Sequence, residues 1–131
     1  MISYKESSNI THSEQLHIDL GKRNISSHVR ALKFIDKDTK QHVMYLPSFE
    51  ISGYGATIEK ASEMVKCSVT DFFSHLLSLS PQQIQTELSE LGWKKNLLEK
   101  NYSRPSVEGD SSLQNINAKD NKIELVTLIA A

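Results

Sequence analysis

Five histidines and one cysteine are the residues in this chain that most readily hold a metal or attack a carbonyl: His12, His17, His28, His42, His75 and Cys67. A structural or catalytic zinc needs three or four such side chains to converge. No pair has a chelating helical spacing, and Cys67 and His75 fall on what reads as a single helix, eight positions apart. At about 1.5 Å of rise per residue they stand about 12 Å apart along its axis. They therefore share neither an ion nor a proton, and a cysteine in mid-helix reads as a small core residue whose thiol burial holds protonated. Neither a Gly-x-Ser-x-Gly elbow nor a His-Glu-x-x-His run occurs, and the acids are scattered. The expectation is a protein without catalytic residues, bound metal or cofactor.

Two further groupings have chemical potential. Gly53 and Gly55 precede a helix start, where free amides and the helix dipole favour an anion. The dinucleotide fingerprint, however, wants a third glycine where Ile58 stands, and no Gly-Lys-Ser or Gly-Lys-Thr follows. The plain reading is a strand-to-helix turn, with glycines for backbone angles other residues resist. Trp93, Lys94, Lys95, Lys100, Tyr102 and Arg104 form a basic and aromatic cluster of the composition that stacks on single-stranded bases and grips phosphates. The competing reading packs Trp93, Leu97 and Leu98 and leaves the lysines solvated, with Glu99 among them.

What must position these residues is one domain's worth of chain: 131 residues, 38% apolar, with 15 basic against 16 acidic side chains. That balance removes the broad positive field on which non-specific nucleic-acid binding depends, leaving only a local patch. No apolar run is long enough to cross a bilayer, and the polar start lacks a signal peptide's apolar stretch. The single cysteine forms no intrachain disulfide. A cytoplasmic location is expected.

Residues 1–14 read as a loose leader. From Gln15, Leu16, Ile18 and Leu20 alternate with His17 and Asp19, the period of a half-buried strand, and Gly21 to Asn24 make a turn. Ile25 to Ile35 alternates with apolar residues on both faces, which predicts a central strand. The polar stretch Asp36 to Lys40 then connects it as a hairpin to Val43–Leu46. Pro47 ends that strand or marks its edge, since it cannot donate to a ladder, while Phe49 and Ile51 keep the alternation. Thr57 is a suitable N-cap for a long helix whose stripe is Ile58, Ala61, Val65, Val69, Phe72 and Leu76, widened by Met64, Phe73 and Leu77. Ser80, Pro81 and Gln83 have the form of a capping box opening a second, shorter helix. Ile84, Leu88 and Leu91 face one way there, and Gly92 stops it.

Residues 103–121 read as a polar linker before a strand at 122–131, where Ile123, Leu125, Val126, Leu128 and Ile129 populate both faces. Either the linker wraps over the surface or the strand crosses to another subunit; a flexible segment of that length spans about 25 Å. The fold class expected is α+β, a small antiparallel sheet of three to four strands covered on one face by the long helix, with the short helix and the C-terminal strand added.

The run Tyr45 to Ala61 resembles the HicB-like antitoxin domain family, in which a strand with a proline-containing turn passes through a small residue and Gly-x-Thr into Glu-Glu-Ala at a helix start. Pro47, Gly53, Gly55, Thr57, Glu59 and Ala61 carry the match, and Lys60 replaces the second acid. The resemblance extends over residues 15–78, within a domain taken as 15–102. It implies a sheet covered by a helix, and a module that oligomerises and silences an RNA-cleaving toxin. Family members commonly carry a separate DNA-binding segment. After Gly92 no ribbon-helix-helix or recognition helix is seen, so DNA is not expected as a partner. The leading expectation is thus a non-enzymatic, antitoxin-like homodimer that binds a protein partner through exposed strand edges or the C-terminal strand. The alternative is a small RNA-binding domain using residues 93–104.

Overall fold

Asn24–Ile35 is the strand on which the molecule is built. The computed structural model describes residues 2–8, 13–96, 101–105 and 116–131. Its strands are β1 (Tyr4–Ser7), β2 (Ser13–Asp19), β3 (Asn24–Ile35), β4 (His42–Leu46), β5 (Ile51–Gly55), β6 (Lys94–Lys95), β7 (Asn101–Pro105) and β8 (Glu124–Ala130). The helices are α1 (Ile58–Leu77) and α2 (Pro81–Glu90), with a single 3-10 turn at Lys119–Asn121. The class is α+β, as expected, but the antiparallel sheet has eight strands and not three or four.

The long central strand accounts for the size of the sheet. Over Ser27 to Lys33, β3 pairs with β8 on one edge. On its other edge it pairs first with β2, through His28, and then with β4, from Leu32. β2 and β4 therefore fork away from the same edge, and each carries its own neighbours: β7 and β6 beyond β2, β5 beyond β4. The apolar residues on both faces of β3 fit this central place, since Val29, Ala31 and Leu32 are all buried.

Two sequence expectations fail at the ends of the chain, the loose leader and the unstructured linker. Residues 4–7, read as part of a loose leader, form β1 against β8. Ile2 and Tyr4 pack on the core, and the Tyr4 hydroxyl donates to the Lys66 carbonyl at 2.9 Å. The expected linker is structured at both ends: β7 occupies its start, and Ala118 bridges to Asp36 ahead of the 3-10 turn. Residues 106–115 lie outside the described residues. β8 lies between β1 and β3 of its own chain, so its backbone is satisfied on both edges without a second subunit. Short polar segments give no periodic signal of their own; these join the sheet because β8 and β2 offer them an edge.

The core lies between one sheet face and the two helices. Leu16, Ile18, Ile25, Val29, Ala31, Met44, Leu46, Val126 and Leu128 meet Ala61, Val65, Val69, Phe73 and Leu76 of α1, and Ile84 and Leu88 of α2. The stripe of α1 is rotated slightly from the sequence reading. Phe73 is buried and Phe72 only half-buried, Met64 is 40% exposed, and Cys67 is exposed instead of buried. Both helix starts are capped as read. Thr57 Oγ1 accepts from the Lys60 amide at 3.2 Å, and Ser80 and Gln83 complete a reciprocal capping box.

Candidate interaction surfaces

The motif from Pro47 to Ala61 serves the packing of α1 on the sheet. Pro47 lies in the four-residue turn between β4 and β5, outside the ladder in which Leu46 faces Ile51, so its missing N–H costs no strand hydrogen bond. Glu50 takes up the left-handed angle that closes this turn, at φ 54°. The turn is tied inward at both of its middle residues. The buried Trp93 indole donates to the Ser48 carbonyl at 3.0 Å, and Phe49 stacks on Trp93 with ring centres 5.6 Å apart while meeting Phe72 and Phe73 on its other sides.

Gly53 and Gly55 are not placed for unusual angles. Both belong to β5, and Gly92 is the one glycine with positive φ among the described residues. A Cβ on Gly53 would strike the Ala61 carbonyl oxygen and approach Val65 Cγ2 to 2.9 Å; one on Gly55 would meet Lys60 Cβ at 2.7 Å. The glycines and Ala61 let helix and strand backbones approach closely. Glu59, in the first turn of α1, is exposed and favourably placed for the helix dipole. The helix start holds a cap and a close contact, and its geometry builds no anion cradle.

The basic and aromatic cluster does not assemble as a surface. Trp93 and Tyr102 are buried, and burial raises the Tyr102 hydroxyl pKa above its usual value. Arg104 is held on two sides: its Nη1 donates to Glu14 Oε1 at 3.0 Å and its Nε to the Leu91 carbonyl at 3.0 Å. Lys94 and Lys95 are exposed, and Lys100, with Leu97 to Glu99, falls outside the described residues. Gly92, at φ 93°, ends α2 in a Schellman arrangement, with the Trp93 amide reaching Leu88 and its own amide reaching Ser89.

Sequence reasoning missed Glu14, assigning it to the leader. It continues the buried phase of Leu16 and Ile18 by one more step, and its side chain is 2% exposed. Its second oxygen accepts the Arg30 amide of β3 at 3.0 Å, in the fork that β2 and β4 leave open. The carboxylate stands in for the missing strand, and Arg104 offsets its charge.

Of the C-terminal residues singled out, Val126 and Leu128 are buried in the core, while Ile123, Leu125 and Ile129 are half-buried on the strand's other phase. Among the described strands the edges left by the topology are β1, β6 and β5. Three large apolar side chains are exposed among the described residues: Tyr54 of β5 at 54%, Met64 of α1, the helix packed on β5, at 40%, and Leu20. No group of three or more His, Cys, Asp or Glu among the described residues is placed to hold a metal, and no described helix is long and apolar enough to cross a membrane.

The fold and its edges define the class as an α+β protein with an eight-stranded antiparallel sheet. No protein-family model matches the chain, nor does any curated protein or solved structure.

Proposed function

We propose that this is a non-enzymatic, HicB-like interaction module, antitoxin-like and homodimeric, which takes a protein partner by strand addition along β5. The observation that carries this reading is the state of that edge. β5 pairs with β4 alone among the described residues, leaving a row of backbone donors and acceptors facing outward. Tyr54 belongs to this strand and Met64 to the helix packed on it, and each is more exposed than a large apolar residue ordinarily is. An added strand would satisfy the backbone row while these two side chains supply apolar contact, the arrangement of β-augmentation. The rigid attachment of β5 to α1 through Gly53 and Ala61 presents the edge in a fixed shape.

The experiment is mass measurement in solution together with affinity capture from nuclease-treated native lysate, for the natural chain and for Tyr54→Lys/Met64→Lys. The reading expects a dimer that captures a stoichiometric small protein, and loss of that protein from the double variant with the fold unchanged. A monomer that captures nothing, or a partner retained in full by the variant, overturns it.

A further inference from the structure

The sheet face turned away from α1 carries a charge pattern that the near-neutral composition conceals. Residues opposite one another in an antiparallel ladder project to the same side. One row thus runs across six strands: Lys5, Ile129, His28, Gln15, Ser103 and Lys94. Five interstrand spacings of about 4.8 Å make the row about 24 Å long. Arg30 lies in the next row on this face, opposite Thr127, and His17 on the other side of the row, opposite Ser26. Among the described strand residues this face has a single carboxylate, Asp19, at the end of β2, where it accepts from the Lys22 amide. The other strand carboxylates are turned to the helix side, Glu6 against Lys33, Glu14 against Arg104, and Glu124 opposite Lys33 in the ladder.

Arg30 supplies a second observation of a different kind. Its Nε is buried and has no hydrogen-bond partner among the described residues. A guanidinium is always charged, and a buried donor on a charged group is costly unless an acceptor reaches it. Arg30 as a whole is only half-buried, so its fixed charge adds to that of the row.

We propose that this face binds single-stranded RNA, with Arg30 gripping a phosphate near the centre and Lys5, His28 and Lys94 tracking the backbone on either side. The exposed part of this face, from Lys5 through His28 and Gln15 to Lys94, is suited to a splayed single strand, whereas it has no projecting helix to enter a duplex groove. Gln15, Ser26 and Ser103 add neutral donors and acceptors of the kind that engage a ribose 2′-hydroxyl. Tyr54, exposed and on the same side as Val43 and Phe34, offers a ring on which a base stacks. The two readings share Tyr54, but none of the charged residues needed here lies on β5, so the charge variants test this proposal separately from strand addition.

The test is fluorescence anisotropy with a labelled oligouridine of about 20 nucleotides, the matching oligodeoxythymidine and a duplex RNA, at salt between about 50 and 200 mM. The proteins are the full natural chain, Arg30→Gln, and the surface double variant Lys5→Glu/Lys94→Glu. The expected result is saturable oligouridine binding that weakens steeply with salt and falls about tenfold or more in each variant, with circular dichroism unchanged in the double variant. Absence of saturable binding overturns the proposal, as does a double variant that binds as the natural chain does. Equal affinity for the deoxy strand, or tighter binding of the duplex, overturns the assignment to single-stranded RNA.

Discussion

The Glu14 carboxylate and the Arg104 guanidinium meet 3.0 Å apart at the place where β2 and β4 part from β3, and they join β2, β3, β7 and the end of α2. Burying either charge alone is costly, so the pair persists because each of its polar contacts is satisfied. Glu14→Ala leaves the Arg30 amide without its acceptor and Arg104 without its counter-charge. The expected loss is about 3 to 5 kcal/mol, read by urea denaturation. Replacing both residues by apolar ones should cost less than the sum of the two single losses, which a double-mutant cycle measures.

Phe73 and Phe72 offer a direct check of how α1 is turned. Phe73 is 1% exposed and Phe72 is half-buried. Phe73→Ala is expected to cost about 3 to 5 kcal/mol, and Phe72→Ala distinctly less, because a partly exposed ring leaves a smaller cavity. Equal losses would put the two rings in equivalent surroundings and contradict the observed rotation.

Gly53→Ala tests the close approach of α1 and β5. The substitution needs no unusual backbone angle, so any loss arises from the added methyl meeting the Ala61 carbonyl and Val65. Overpacking of this kind costs about 1 to 3 kcal/mol. A variant as stable as the natural chain would show that the helix shifts away freely.

These three sites also show what the sequence made legible. Alternation located β2, β3 and β4, and the helical period located α1, because each element buries one continuous face and the spacing of apolar residues records it. Glu14 escaped because a buried carboxylate looks like any polar residue until its partner, 90 positions away, is brought beside it. Tyr4 and Tyr102 escaped for the same reason, since short strands take their burial from neighbours and not from a period of their own. The cluster from Trp93 to Arg104 had the right composition for a ligand surface, yet its rings became core and its arginine a structural clamp. The outward row was hidden altogether, as its basic members Lys5, His28 and Lys94 come from three separate strands.

Asp36 gives a prediction in pH. The amide of Thr39, at 2.8 Å, with the Thr39 hydroxyl and the Asp38 amide, holds its carboxyl below the ordinary aspartate pKa. A group depressed in the folded state stabilises the hairpin at pH values above its unfolded pKa, and this contribution is lost as pH falls through the folded one. Carboxyl-detected NMR should therefore find Asp36 titrating below about 3.9. Asp36→Asn should flatten the acid limb of stability, lowering stability near neutrality while leaving it little changed below the folded pKa. A normal titration midpoint would mean that the turn does not hold its charge.

Deleting Lys122–Ala131 discriminates between a strand that completes its own sheet and one that bridges subunits. β8 lies between β1 and β3 and buries Val126, Leu128 and Ala130 in the core. Its removal leaves β1 without any strand partner, exposes one edge of β3 and opens the apolar face beneath α1. The truncated chain is expected to lose its cooperative thermal transition and aggregate, even at protein concentrations where a dimer would already have dissociated. A truncated chain that stays monomeric, keeps its circular dichroism spectrum and melts cooperatively would place the strand outside the folding core. Adding the missing segment back as a peptide then provides the complementary reading: recovery of the cooperative transition, saturating with peptide, would show that the slot between β1 and β3 is formed by the rest of the chain and selects this sequence.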